Sequence, residues 1–239
     1  MNKRGQATAF MVIGLVLLFS LLIFNYANQL GIKKPVYSTS DSSEVKNAVD
    51  ACLNSVGAMA LNEMSQNGDI NFDFPPIIFD FYSDNKKKLP SREELSIHLS
   101  AFVDESLAFC VNDSIGSRYN VVLGAPSTNV IFGADEIVMA TNFPVKVIFP
   151  EQVVELQSFI ATYPVKFLKI YNITELIINK TVDNPEWIDA EFLLDIDEEI
   201  NLYPLDSETL LYEIIDADSS LGGETFSYRF IVRPYRVGQ

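Results

Sequence analysis

The sequence predicts an α+β fold in which an N-terminal transmembrane helix precedes an extracytoplasmic domain with two disulfide-linked helices and an antiparallel sheet. Three observations lead to this fold class: an uncharged apolar run near the N-terminus, two helical patterns that each carry one cysteine, and strand-like segments from residue 118 onward. We place the transmembrane helix within residues 1–30, a linker at 31–43 and the folded domain at 44–239. Two small subdomains, divided near residue 116 or 165, remain an alternative.

Composition and charge indicate a folded, acidic domain. Of the 239 residues, 48% are hydrophobic and only 21% are charged, which is too rich in core-forming side chains for a disordered chain. Residues 1–34 contain four bases and no acid, so all 32 acidic side chains, against 13 basic ones, lie beyond residue 34. A domain with this balance repels nucleic acid, and we expect no nucleic-acid partner.

The apolar run has the length of a membrane span. Residues 7–24 are 18 consecutive uncharged residues, which would make about 27 Å of helix. The helix extends to about residue 29, so the predicted partner of residues 7–29 is the lipid bilayer. Lys3, Arg4 and the terminal amine flank the short side of this single-pass segment. They place the N-terminus in the cytoplasm and the acidic domain outside the cell membrane.

Three interpretations of this segment remain open: a cleaved secretory signal, an uncleaved anchor, and a short leader cut after Gly5. A cleaved signal is disfavoured because Asn25 stands where a small residue is wanted beyond the apolar run. The order Lys3-Arg4-Gly5-Gln6, followed by an apolar helix, resembles the class III signal of archaeal type IV pilin-like proteins. This resemblance implies cleavage between Gly5 and Gln6 and retention of the apolar helix.

Two amphipathic helices open the folded domain. The first covers about residues 43–66, and Asp41 with Glu44 has the spacing of a capping box at its start. The second covers about residues 91–111 and also begins with a capping-box pattern. Both show apolar residues at helical spacing, which predicts that each buries one face against a core.

Each of these helices carries one of the two cysteines. Cys52 and Cys110 have no Cys-x-x-Cys spacing and no neighbouring histidine, so neither a metal pair nor a redox pair is favoured. Outside the cytoplasm, where thiols oxidise, we expect them to form a disulfide that ties the two helices together.

The segment between the two helices, residues 69–89, is aromatic and contains the tandem Pro75-Pro76. Because tandem prolines exclude a central strand, we expect an extended edge segment or a loop that covers the core.

The second half of the chain changes from helical to strand-like periodicity. The predicted strands cover residues 118–123, 129–132, 136–140, 145–149, 153–163, 209–215 and 225–232. Two helices, at about 167–181 and 185–195, lie between them. Helices on one side of an antiparallel sheet follow from this order.

The order of features along the chain gives a second, wider resemblance. The stretch RGQATAFMVIG, one helix with Cys52, one helix with Cys110 and a strand-rich half that ends in Arg-Pro resemble a group of membrane-anchored surface proteins of small-genome archaea. This resemblance implies a location and an architecture rather than an activity.

The inventory of reactive side chains argues against catalysis. His98 is the only histidine, which excludes metal sites and mechanisms that need a histidine pair within one chain. No Gly-x-Ser-x-Gly, Walker-type, Gly-x-Gly-x-x-Gly or His-Glu-x-x-His motif occurs. His98 follows Glu94 by four residues, which predicts an exposed pair on the helix surface. We expect no enzyme activity and no cofactor.

Acidic side chains supply weak calcium candidates. Asp195, Asp197 and Glu199 would share one face of an extended chain, and Asp216 with Asp218 has the spacing that begins a calcium loop. A calcium loop needs glycine where this chain has Leu221, and Gly222 comes one position later. A solvated turn without metal is therefore the preferred interpretation. Weak calcium binding stays open.

Three triplets fit the pattern for N-glycosylation of an exported domain. They begin at Asn112, Asn172 and Asn179. A chain this rich in Asn, Ser and Thr also produces such triplets by chance, so they are candidates only.

Together these features predict a non-enzymatic, membrane-anchored cell-surface protein. Its role would be that of a structural subunit in an envelope or pilus-like filament, or of an adhesin, with self-assembly or other proteins as partners. The alternative function is a membrane-tethered ligand-binding or sensor ectodomain, which predicts a concave apolar pocket.

Overall fold

The computed structural model describes residues 39–70, 78–84, 86–150, 152–184 and 189–233. Within them, Ser42 begins a compact unit that includes every strand. The predicted bilayer segment at residues 7–29 and the leader site at Gly5 and Gln6 lie outside the described residues, so both stay predictions.

The described residues form four helices and nine strands. The helices are α1 (Thr39–Asn67), α2 (Arg92–Ile115), α3 (Phe167–Asp183) and α4 (Ala190–Leu194). The strands are β1 (Asp80–Ser83), β2 (Lys86–Lys87), β3 (Asn120–Leu123), β4 (Ser127–Phe132), β5 (Ile137–Ile148), β6 (Val153–Tyr163), β7 (Glu199–Pro204), β8 (Leu210–Leu221) and β9 (Glu224–Val232). All four helices were expected, whereas β1, β2 and β7 were not.

The predicted fold class is wrong. The expected structure was α+β, with a transmembrane helix, two linked helices and an antiparallel sheet. The described residues instead form a mixed α/β structure with two sheets, one of which contains a parallel pair, β1 with β9. None of the helices in the described ranges is long and apolar enough to cross a membrane.

The strand β1 accounts for the parallel pair. It lies between β2 and β9 in the first sheet, which has the order β2-β1-β9-β8-β7. Phe81 and Tyr82 are buried there, and the Phe81 ring stacks 5.3 Å from the Phe230 ring. Burial of these aromatic side chains places the strand inside the sheet rather than at its edge. The edge or loop expected for residues 69–89 is corrected accordingly.

The second sheet is built around β5. This strand pairs with β6 along one side and with β4 and then β3 along the other, always antiparallel. Two separate strands were expected at residues 136–140 and 145–149, but β5 continues through Pro144. The pairing with β6 shifts register between Asn142 and Val145. This irregularity accommodates a residue that cannot donate a ladder hydrogen bond.

Helix α1 packs across β5 and β6 at Gly57. A Cβ atom at this position would lie 2.1 Å from the Tyr163 hydroxyl oxygen and 2.7 Å from the Met139 sulfur. The Tyr163 hydroxyl donates to the backbone carbonyls of Leu53 and Asn54, at 3.2 Å and 3.0 Å. Glycine therefore allows the helix to approach the sheet closely enough for these hydrogen bonds.

Helix α2 begins at the expected capping box. The backbone N–H of Ser91 donates to the Glu94 carboxylate at 2.7 Å, and the Glu94 N–H donates to the Ser91 hydroxyl at 3.2 Å. The helix ends at Ile115, one turn later than expected. Its buried stripe follows helical spacing and consists of Leu95, Leu99, Val103, Leu107, Val111 and Ile115.

The contact at Gly57 predicts whether a substitution there raises or lowers the free energy of unfolding. In an exposed helix Gly→Ala stabilises by about 1 kcal/mol, but at Gly57 the new methyl would overlap Tyr163. We expect Gly57→Ala to lower the free energy of unfolding by about 1–3 kcal/mol, measured as a lower urea midpoint. Adding Tyr163→Phe should recover part of the loss, and Ser55→Ala on the exposed side of α1 is the control. A Gly57→Ala protein more stable than wild type would contradict this packing.

Candidate functional site

Cys52 of α1 and Cys110 of α2 form the expected disulfide. Their Cα atoms are 5.8 Å apart, and the bridge links two residues 58 positions apart in the sequence. Loop-closure entropy for that length corresponds to about 4 kcal/mol of stabilisation. The Cys52 side is 4% exposed, so the bridge lies largely within the helix interface. It fixes α2 relative to α1.

His98 pairs with Asp69, not with Glu94 as expected. Its Nδ1 lies 2.9 Å from each carboxylate oxygen of Asp69. The Asp69 side chain is only 3% exposed, against 43% for His98. Glu94 is occupied by the capping box at the start of α2. Because Asp69 precedes His98 by 29 residues, helical spacing alone could not identify the partner.

The His98–Asp69 pair orients an imidazole at the surface. Since a carboxylate can only accept, the Nδ1–H of His98 donates to Asp69. A nucleophile would be needed for the acyl-transfer chemistry of a histidine–aspartate pair. The serines two residues before and after His98 on α2 instead donate to backbone carbonyls, Ser96 to Val130 and Ser100 to Ser96, each at 2.8 Å. The arrangement holds α2 to the segment after α1.

The calcium candidates lie in two places and are partly neutralised by lysines. Asp195 ends α4, and Asp197 and Glu199 are exposed near the start of β7. Asp216 accepts a hydrogen bond from Ser219 at 2.6 Å.

Lysines at the start of α3 face these acids. Lys166 Nζ lies 2.9 Å from the Asp218 carboxylate, and this hydrogen bond raises the pKa of Lys166 and lowers that of Asp218. Lys169 pairs with Glu198 and lies 4.0 Å from Asp216. In the described part of the chain, no three acidic, His or Cys side chains come together as metal ligands.

The three glycosylation candidates are exposed residues within helices. Asn112 lies in α2, and Asn172 and Asn179 lie in α3. The hydroxyl of Thr174, the third residue of one triplet, is fully buried and donates to the Ile170 carbonyl. Acceptor sites typically lie in surface loops, so these positions differ from the usual context.

A half-buried ion pair that the sequence analysis missed joins the first sheet to α1. Arg229 of β9 donates to the Glu213 carboxylate of β8 from Nε at 2.7 Å, and the Tyr203 hydroxyl donates to it at 3.1 Å. Arg229 also donates to Gln66, at the end of α1, at 2.7 Å. Burial would raise the pKa of Glu213, but the hydrogen bond and charge of Arg229 outweigh burial and lower it.

A small pocket lies between α3, α4 and β8. Its volume is about 20 Å³, close to that of one water molecule. It is lined by Ile177, Lys180, Thr181, Asn184, Asp189, Phe192, Leu193 and Tyr212. A metabolite needs a cleft of several hundred Å³, so this pocket does not fit one.

The second sheet presents an apolar surface to solvent. Its inner face packs against α1 at Met139 and Tyr163, and none of the described helices covers the opposite side. We call that side the outer face and define it by five exposed aliphatic residues: Val122, Ile131, Ile148, Val153 and Ile160. Polar positions of the same face, among them Lys146, Glu155, Asn142 and Ser158, lie between these aliphatic residues, so the face offers aliphatic contact area without one continuous apolar patch.

Comparisons with protein-family models, curated proteins and solved structures found no match to this chain. The resemblance to class III signal sequences therefore stays a prediction. Function is inferred below from the chain's own residues.

The disulfide should account for a large share of the stability. We expect the double variant Cys52→Ala, Cys110→Ala to lose about 2–5 kcal/mol in the free energy of unfolding. Reductant should lower the urea midpoint of the wild type and leave that of the double variant unchanged. A wild-type midpoint that does not respond to reductant under unfolding conditions would argue against the bridge.

The Glu213–Arg229 pair should make stability depend on acid pH. Because the folded-state pKa of Glu213 is below its ordinary value of 4.5, its contribution is complete above that value and lost as pH falls through the folded-state pKa. Glu213→Gln should flatten this loss in a plot of unfolding free energy against pH. Glu224→Gln, at an exposed position, should follow the wild-type curve. Identical curves for wild type and Glu213→Gln would contradict the assignment.

Proposed function

We propose that the protein acts outside the cytoplasm as a non-enzymatic structural or adhesive subunit at the cell surface. The observation that carries this proposal is the disulfide between Cys52 and Cys110. Thiols in the cytoplasm of most organisms stay reduced, whereas structural disulfides persist after export. A bridge worth about 4 kcal/mol is comparable to much of the net stability of a domain. A domain that relies on it is suited to an oxidising compartment.

Surface chemistry supports a protein partner over nucleic acid. The chain has a formal net charge of −15 at pH 7, which repels polyanions. The outer face of the second sheet, with Ile131, Ile148, Val153 and Ile160 among its exposed residues, offers aliphatic contact area. Structural subunits and adhesins both need such surfaces.

The geometry gives less support to the other candidate functions. In the described part of the chain, the pocket between α3, α4 and β8 has about 20 Å³, which is smaller than a ligand-binding ectodomain needs. A hydrolase using His98 needs a nucleophile beside it, and Ser96 and Ser100 donate their hydroxyls to backbone carbonyls.

Export can be tested by treating intact cells with a protease and with a thiol-alkylating reagent that does not cross membranes. The proposal predicts that fragments from the described domain are released from intact cells. It also predicts that Cys52 and Cys110 resist alkylation until a reductant is added. The single variant Cys52→Ala leaves Cys110 as a free thiol and serves as the positive control for labelling. Protection from protease, with both thiols alkylated only after lysis and without reductant, would contradict export.

The structural role can be tested by chemical cross-linking on intact cells. A structural subunit predicts a ladder of products that contain more than one copy or a second envelope protein. A product limited to the monomer would favour the ligand-binding alternative instead. Chain mass and N-terminal residue, determined on the same material, separate a start at Gln6 from a start at Met1.

A further inference from the structure

The strand β6 is a long edge of the second sheet. Its 11 residues, Val153–Tyr163, pair with β5 along one side. On the other side no strand pairs with it among the described residues. A row of backbone donors and acceptors therefore faces outward, which is the feature by which sheets pair with other chains.

The opposite edge of the same sheet is blocked by α2. The Ser96 hydroxyl donates to the Val130 carbonyl of β4 at 2.8 Å, which occupies an edge acceptor. Burial raises the pKa of Asp104 on α2, and hydrogen bonds from Thr128 of β4 partly offset that rise. The disulfide at Cys110 holds α2 in this position. A helix covering an edge strand is one of the standard ways in which proteins prevent edge pairing.

The edges of the first sheet are also protected. At one edge β2 has only two residues, both lysines, Lys86 and Lys87. At the other edge β7 has six residues and ends at Pro204, which cannot donate a hydrogen bond. Short length, lysine and proline all oppose pairing with a further strand.

None of these protections occurs in β6. The strand contains no proline, and its one charged residue, Glu155, lies 3.7 Å from Lys146 of β5, which neutralises it. Its sequence, VVELQSFIATY, is rich in β-branched and aromatic residues. A neutral, extended edge with high strand propensity is adapted to pairing rather than to exposure.

We propose that β6 pairs antiparallel with β6 of a second copy, about a twofold axis at Ile160. This inference rests on the proposed assembly function and names its contact surface. Ile160 would lie opposite Ile160 of the other copy, and Ser158 would lie opposite Thr162. Phe159 and Ala161 would pair on the inner face.

Both faces of the sheet match in this register. Phe159 and Ala161 are buried on the inner face, whereas Ser158, Ile160 and Thr162 are exposed on the outer face. Directly opposite residues share a face, so centring the axis at Ile160 matches outer with outer and inner with inner.

A centre at Ser158 does not meet this condition. It would place Ile160 opposite Leu156, which lies across from the buried Val145 and so points to the inner face. The two faces would then no longer match between the copies.

Along β6 itself the local charge permits pairing with a second copy, because Lys146 neutralises Glu155 there even though each copy carries a net charge of −15. A basic partner would be steered to the acidic surfaces of a chain with net charge −15 rather than to the neutral strip along β6. In the proposed register Glu155 falls outside the paired residues 157–163, so no acid meets another acid. Pairing would continue the second sheet across both copies and bring the two Ile160 side chains together on one outer face.

The position of Ile160 at the twofold axis provides a direct test. Both native cysteines are bridged, so Ile160→Cys adds one free thiol to the full chain purified in a mild non-ionic detergent. Mild oxidation should then give a disulfide-linked dimer on a non-reducing gel, because the two thiols would be neighbours. Ile131→Cys is the matched control: it is 50% exposed on the same outer face, against 64% for Ile160, but lies on the edge covered by α2. It should remain monomeric.

Two further variants test register and energetics. Ser158→Cys mixed with Thr162→Cys should form a cross-linked dimer in higher yield than either variant alone. Ile160→Lys should reduce the dimer fraction at least tenfold at a fixed concentration, while Ile131→Lys leaves it unchanged. Thermal midpoints of both lysine variants should match that of the wild type at a protein concentration low enough for the wild type to be monomeric, since both positions are exposed.

The outcomes distinguish this inference from the proposed function. Equal cross-linking of Ile160→Cys and Ile131→Cys, or none with Ile160→Cys, would overturn β6 pairing. If the protein is nevertheless exported and oligomeric on cells, the proposed function stands and another surface mediates assembly. Selective cross-linking at position 160 in a chain that cells retain with free Cys52 and Cys110 would support the pairing and overturn the surface role.

Discussion

The close packing of α1 across β5 and β6 is the constraint on which the remaining structure depends. Gly57 lets the helix approach the sheet, and the Tyr163 hydroxyl bonds to carbonyls of the same helix turn. This position of α1 brings Cys52 to Cys110 and thereby fixes α2 along β4. Because α2 covers that edge, β6 is left as the open edge of the sheet. One helix–sheet contact therefore leaves β6 as the edge at which we propose that a second copy pairs.

Buried polar pairs hold the end of α1 to the rest of the domain. Asp69 binds His98 of α2, and Arg229 bridges Gln66 to the buried Glu213 of the first sheet. The two buried carboxylates of these pairs, Asp69 and Glu213, each have a hydrogen-bonded partner, as desolvation requires. Removing one partner would leave the other uncompensated, so these pairs specify a single arrangement of the helices and the first sheet. Both groups of ionisable side chains, His98 with Asp69 and Glu213 with Arg229, therefore have a structural role.

Local patterns in the sequence predicted much of this fold, and long-range partners account for what they missed. Capping and periodicity identified α1 and α2, and the bounds expected for β6 agree with those observed. The expectation that thiols oxidise outside the cytoplasm identified the disulfide between Cys52 and Cys110. The parallel pairing of β1 with β9 joins segments about 150 residues apart, and Asp69 reaches His98 from another element. No local period reports such contacts. From the sequence, Pro144 predicts a break between two strands. The register shift between β5 and β6 that accommodates this proline cannot be recognised from the sequence of one strand.

The central claim is that α2 closes one edge of the second sheet and leaves β6 open for a second copy. Hydrogen–deuterium exchange of the full chain, measured at low and at high protein concentration, tests it most directly. The account predicts that amides of β4 are protected at both concentrations, while outward amides of β6 exchange rapidly in the dilute sample and become protected in the concentrated one. Protection of β6 that does not change with concentration would contradict the account.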